Sequence, residues 1–257
     1  MIKVSNLSKI FNGTTVLDDI SVTFEPGITN LVIGKSGSGK TVLLKTVVGL
    51  LEPDMGDIWY DDIHFSELSS ADKKPVRQKM GMLFQGSALF DSLTVEENIM
   101  FPLNMFTRKG MKEKRERVNF CLQRVNIKNA NKMYPSELSG GMQKRVAIAR
   151  AIVLNPGYLF CDEPNSGLDP KTALLIDELI KELTDEYNMT TIVNTHDMNS
   201  VMEIGEKVIF ISRGIKCWEG SNKDILESDN ETLNDFVFAN SLAKKIRAEM
   251  QKKNSTS

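Results

Sequence analysis

Eight residues, Gly34-Lys35-Ser36-Gly37-Ser38-Gly39-Lys40-Thr41, have the types and spacing to hold a chain of phosphates. They fit G-x-x-x-x-G-K-[ST], the phosphate-binding loop of nucleoside triphosphatases. Glycines let successive backbone N–H groups turn inward with no Cβ in the way. Lys40 can reach the β- and γ-phosphates of a nucleotide, and the Thr41 hydroxyl can sit on Mg²⁺. A second chemical pair lies far downstream, where Asp162-Glu163 ends the apolar run Tyr158-Leu159-Phe160-Cys161. Two adjacent carboxylates at the end of a buried strand are costly unless they serve a cation or chemistry. Beside a phosphate loop, Asp162 is expected to hold the Mg²⁺ shell and Glu163 to orient or deprotonate an attacking water.

Four further positions are weaker by themselves. Gln85 closes a short apolar run, and its amide can act as a Mg²⁺ or water ligand that reports the bound phosphate. Ser139-Gly140-Gly141 opens an apolar-periodic segment, so a hydroxyl and bare N–H groups lie at the positive end of a helix dipole. That makes either a plain N-cap or a second anion site. His196 follows a strand and is either structural or in contact with a γ-phosphate. Phe11 precedes the Asn12-Gly13 turn and either packs there or stacks on adenine.

These side chains need particular elements behind them. Leu31-Val32-Ile33 before the loop reads as a buried strand, and residues 42–48 after it read as a helix whose N-terminus adds to the phosphate site. Residues 2–7 and 16–24 read as strands of a hairpin, and 57–60 with 63–65 as another. His64 has no acid or thiol at ligand spacing in the sequence and reads as a surface or packing residue. Residues 66–79 and 221–228 read as polar connections. From Gly86 to about Asn155 the period is helical, with Phe120, Cys121, Leu122, Val125 and Ile127 near one face. Lys109, Lys112, Lys114, Arg115 and Arg117 read as a solvated helix face. Helix 171–187, strand 190–194 and the hairpin 208–212 with 215–218 complete the order. The tail from Glu231 places Leu233, Phe236, Ala239, Leu242, Ala243, Ile246 and Met250 at helical spacing, as a cap on its own domain or a docking helix for a neighbour.

The 257 residues can bury one large core with a sizeable insertion. The 41% hydrophobic and 26% charged fractions are those of an ordinary globular protein. A net charge of −2 creates no overall field for nucleic acid, and none is expected as a partner. No run approaches the roughly 20 apolar residues that cross a bilayer, and the N-terminus does not read as a signal peptide. Cys121, Cys161 and Cys217 read as isolated thiols of a reducing compartment.

In this order, the phosphate loop at 34–41, Gln85, Leu138-Ser139-Gly140-Gly141-Met142, Asp162-Glu163, the turn at 166–169 and His196 resemble the ATP-binding cassette ATPases. The resemblance covers residues 1–225. It implies an α/β fold: a P-loop NTPase with a RecA-like core, an antiparallel β subdomain and an inserted helical subdomain. The expected boundaries are 1–85 and 154–228 for the core with its β subdomain, 86–153 for the helical part and 229–257 for a C-terminal extension. It also implies ATP and Mg²⁺ as ligands and a head-to-tail homodimer. Ser139, Gly140 and Gly141 of one copy would cover the γ-phosphate held by Lys40 of the other, so a lone subunit would hydrolyse ATP poorly. Met142 for the usual Gln, Phe11 for the stacking Tyr and Asn165 for a frequent Thr depart from the family pattern.

A finer resemblance rests on Gly39-Lys40-Thr41-Val42-Leu43-Leu44-Lys45, on residues 85–98, on Phe101-Pro102-Leu103 and on Met142. These look like the ATPase of Mla-type lipid transporters, bacterial systems that work with an MCE-domain protein to move phospholipid between the two membranes. The chain would then lie peripherally on the cytoplasmic face of the inner membrane and meet its permease through residues 86–106. Ala88-Leu89-Phe90 and Phe101-Pro102-Leu103 read equally as core. The alternatives are a cassette for another substrate, such as an amino acid or a lipoprotein, and a soluble cassette protein outside transport.

Overall fold

The computed structural model describes residues 1–238. Strands β1 (Ile2–Phe11) and β2 (Thr14–Phe24) form a hairpin longer than expected, because pairing continues to Phe11 opposite Thr14. Asn12 and Gly13 both take positive φ, 49° and 78°, which matches the twist of the flanking strands. β3 (Thr29–Ile33) runs into the loop and α1 (Lys40–Val47). β4 (Met55–Tyr60) and β5 (Ile63–His64) follow, then α2 (Lys73–Arg77) and β6 (Met80–Leu83). The connection expected at 66–79 therefore contains a short helix, with Pro75 in the first turn, where its missing N–H costs nothing.

Three helices come next: α3 (Val95–Phe106), α4 (Met111–Arg124) and α5 (Gly140–Ile152). Then β7 (Tyr158–Asp162), α6 (Pro170–Tyr187), β8 (Thr190–Thr195), α7 (Met198–Ile204), β9 (Lys207–Ser212) and β10 (Ile215–Gly220) alternate. α8 (Asn222–Glu227) occupies the stretch read as a polar connection; a Ser221–Asp224 capping box starts it and buried Ile225 anchors it. α9 (Glu231–Val237) ends the described chain.

Two sheets result. The first is antiparallel, in the order β2-β1-β4-β5. The second runs β10-β9-β3-β8-β7-β6 and is parallel except for β10. Its central strands are buried on both faces, which is why they read as continuous apolar runs. Side chains alternate across it: Leu31, Leu159, Cys161, Val193 and Phe210 join one hydrophobic cluster, while Val32, Phe160, Ile192, Ile209 and Ile211 join the other. The first cluster continues into Ile99, Val118 and Val146 of α3–α5, and the second packs α1 between the two sheets. The C-terminal ends of the parallel strands all deliver their loops to one edge, where ligands of open α/β sheets bind.

Several expectations on the helical segment need correction. Phe120 is exposed, on the far side of α4 from buried Cys121 and Leu122. Lys114 is buried and donates to Asn104 Oδ1 at 2.9 Å. Arg117 is no solvated charge either: it donates to the carbonyls of Ile152 and Val153 at 2.8 and 2.9 Å, satisfying the C-terminus of α5. His64 packs by stacking on Trp59 at 4.0 Å, but its two nitrogens meet Asp57 and Glu67, the latter only three residues along the chain, so acids do lie within its reach. Cys121 and Cys161 are fully buried, which pushes the Cys121 thiol up to about 11 and the Cys161 thiol further. Phe236 of α9 stacks on Phe210 at 5.4 Å, so this part of the tail packs on its own domain. Ala239, Leu242, Ala243, Ile246 and Met250 lie outside the described residues. Among the described residues no helix is long and apolar enough to cross a membrane.

Candidate functional site

At the sheet edge the loop after β3 turns through Gly34, Gly37 and Gly39 at φ 151°, 77° and 107°. A Cβ on Gly34 would stand 2.2 Å from the Ile211 carbonyl, so packing requires glycine there, and at Gly39 the positive φ strains any other residue. α1 starts at Gly39 with no side-chain cap, which leaves its first N–H groups to whatever occupies the loop. Lys40, 5% exposed, donates to the carbonyls of Gly34 and Lys35 at 2.8 and 3.2 Å. Burial lowers its pKa while the charges of Glu163 and Asp162 raise it. Around it a cavity of about 670 Å³ is bordered by Lys35, Ser36, Gly37, Gly39, Thr41, Gln85, Glu163 and His196.

The acids come from the end of β7. Asp162 is buried, and its Oδ1 accepts from the Thr41 hydroxyl at 3.1 Å and from Asn194 Nδ2 at 3.0 Å. Glu163 adopts φ 48°, a left-handed backbone seldom taken by glutamate. One carboxylate oxygen meets His196 Nδ1 at 3.0 Å and the other accepts from Gln85 Nε2 at 3.1 Å. Two residues far apart in sequence thus converge on the Glu163 carboxylate at the cavity wall. Among the described residues no three His, Cys, Asp or Glu side chains are grouped as a metal cage. The oxygen set of Thr41 and Asp162, beside a loop for phosphate, instead suits Mg²⁺, which keeps waters and phosphate oxygens in its shell. The buried ammonium of Lys40, which donates to two backbone carbonyls, likewise suits a polyphosphate.

The structure does not bring every expected residue here. Ser139 caps α5, its Oγ accepting from Met142 N at 3.3 Å. With Gly140 and Gly141 it borders a different cavity of about 320 Å³, shared with Gly167, Asp169 and Thr172. Phe11 is exposed at the tip of β1, with the Lys9 ammonium 5.3 Å from its ring centroid, and is not among the residues bordering the phosphate cavity.

Other residues carry no motif signal. Phe236 borders the cavity from α9. Lys144 donates to the Gln85 carbonyl, and Arg150 to those of Ser87 and Ala88 at 2.8 and 2.7 Å. α5 therefore presents Ser139 at one end and grips the Gln85 loop along its length. The loop held in this way takes positive φ at Ser87 and Ala88, 63° and 48°.

The sequence pattern of the ABC transporter family matches residues 17–166, more than half of the chain. A probable ribonucleotide transport ATP-binding protein of Mycobacterium leprae is 34% identical over 92% of this chain and 68% of its own length. A methionine import ATP-binding protein, MetN 2 of Bacillus cereus, is 38% identical over 92% of this chain and 71% of its own. Among solved structures, the ATP-binding cassette MJ0796, a dimer in a post-hydrolysis state bound to ADP and Pi, superposes with a TM-score of 0.79. It is 33% identical, over 86% of this chain and 99% of that one. By sequence and by fold this chain belongs to the ABC transporter ATPases, enzymes that bind ATP with Mg²⁺, dimerise and drive a membrane permease.

Proposed function

We propose that the chain is the motor of a phospholipid transporter of the Mla type, working with an MCE-domain protein on the cytoplasmic face of a bacterial inner membrane. The observation that carries the motor assignment is the division of the chemistry between two cavities of one chain. Lys40, Glu163, His196 and Gln85 share the first, and Ser139, Gly140 and Gly141 border the second. A second copy, docked head to tail, would place its Ser139 and glycine N–H groups on the terminal phosphate held by Lys40. Closing the pair completes both sites at once.

Within a site each residue then has a distinct task. The loop N–H groups and Lys40 bind the phosphates. Thr41, Asp162 and Gln85 would hold Mg²⁺, which neutralises phosphate charge when bound. Glu163, held between His196 and Gln85, takes the proton of the attacking water, and His196 keeps that carboxylate aimed at the phosphate.

The permease would dock at a groove of about 400 Å³ lined by Met82, Phe84, Phe90, Phe101, Pro102 and Phe106. Phe90 and Phe101 are both partly exposed, with ring centroids 4.8 Å apart. The groove lies against the loop that carries Gln85, so occupancy can be felt at Glu163. The lipid assignment rests on the resemblance of residues 39–45, 85–98 and 101–103 and on Met142. The 38% identity to a methionine importer favours a second reading, import of a small solute. Purification with the membrane partner separates them: co-purified phospholipid and lipid-dependent ATPase activity support the first, whereas ATPase stimulation by methionine with a binding protein refutes it.

A further inference from the structure

The strand β8 carries an amide where its alternation calls for an apolar side chain. Asn194 lies two residues beyond Ile192 on the same face, beside Val32 in one register and Asp162 in the other, and is fully buried. That face belongs to the hydrophobic layer packed on α1. An amide there is costly unless its groups are paired. One is: Nδ2 donates to Asp162 Oδ1 at 3.0 Å. Its buried Oδ1 accepts no hydrogen bond among the described residues. A half-satisfied buried amide is worse for stability than an apolar residue of the same shape, so packing alone does not account for it.

What the amide accomplishes is visible at Asp162. Thr41 and Asn194 both donate to Oδ1, so the carboxylate is held from two sides, and Oδ2 has no such partner among the described residues. The backbone of the same asparagine serves the next acid, since the Asn194 carbonyl accepts from the Glu163 N–H at 2.9 Å. We propose that Asn194 is a positioning residue that locks the rotamer of Asp162 and keeps Oδ2 turned toward the Mg²⁺ shell. It provides a neutral donor, so it orients the carboxylate without cancelling the negative charge that attracts the cation. The inference rests on the assignment of Asp162 to Mg²⁺, and it adds a residue outside the loop and outside the acid pair. Outer-shell partners of metal-bound carboxylates set affinity by roughly 10- to 100-fold.

The test uses the full chain carrying Glu163→Gln, so that ATP is not consumed, and reads fluorescent ATP binding across a Mg²⁺ series. Asn194→Leu keeps the number and branching of side-chain heavy atoms and removes the donor. Its half-saturating Mg²⁺ should rise roughly tenfold or more. ATP binding without Mg²⁺ should stay unchanged, and stability to urea should not fall. Asn194→Ser, too short to span the bond, should shift in the same direction and serves if the leucine variant does not fold. A folded variant whose half-saturating Mg²⁺ stays within about twofold of the parent overturns the proposal, as does equal weakening of ATP binding with and without Mg²⁺. Asp162→Asn is measured alongside. If it raises the Mg²⁺ requirement and the Asn194 variants do not, only the role of Asn194 fails. If Asp162→Asn leaves the requirement unchanged, the metal assignment fails and the role of Asn194 with it.

Discussion

Replacing Asp177 by asparagine should stabilise the protein, and by an amount that grows with pH. Asp177 lies on α6 with 1% exposure, and its Oδ1 is buried without a hydrogen-bond partner among the described residues. Burial pushes its pKa up to about 6, with Asp197 and Glu203 pushing the same way and donors on Asn165 and Ser200 pulling it down. None of the residues around the adjoining cavity of about 490 Å³ is a lysine, arginine or histidine. The folded chain therefore binds a proton more tightly here than the unfolded chain, whose carboxyl titrates near the ordinary aspartate value of 3.8. Stability is highest below 3.8 and is lost as pH rises toward the folded value. The loss is complete above 6, at about 3 kcal/mol for the rise from 3.8 to about 6. Asparagine has the same shape and no charge to desolvate. Urea unfolding of the two proteins should show a gain near 3 kcal/mol at pH 8 and about half of that at pH 5, a difference of roughly 1.4 kcal/mol. A gain independent of pH, or a loss at pH 8, would refute the account of a carboxylate held in a site that disfavours its charge.

Other outcomes follow from the same geometry. Glu163→Gln should retain ATP binding, accumulate as a dimer by light scattering and lose turnover; wild-type hydrolysis would remove Glu163 from its assigned role. Lys40→Ala takes away the buried cation of the loop and should abolish nucleotide binding in a labelled-ATP titration. Phe101→Asp charges the groove beside Phe90 and should lose the permease in a pull-down while leaving ATP binding intact. Arg117→Ala exposes the Ile152 and Val153 carbonyls and should cost about 1–3 kcal/mol in urea unfolding, with little change in ATP affinity.

Much of the candidate site was legible in the chain because it depends on local backbone demands. A phosphate loop needs glycines at fixed offsets between a strand and a helix, so residues 34–41 announce themselves, as does a pair of acids ending a buried strand. Strand and helix periods likewise placed β3, β7, β8 and α5. The sequence was weak where pairing or packing overrode period. β1 runs on to Phe11 because a partner strand is available, α8 forms because a capping box and one buried isoleucine suffice, and Arg117 leaves solvent to satisfy the end of another helix.

Spatial adjacency belongs to the tertiary structure alone. Gln85, Glu163 and His196 meet because the loops after β6, β7 and β8 open at one edge of the sheet, an order set by strand crossovers and by no local pattern. The same topology sends Ser139 to a separate cavity, and it sets Asn194 beside Asp162 through strand register. Motifs are conformational requirements that a short segment states by itself; which of them share a cavity depends on how the whole sheet is threaded.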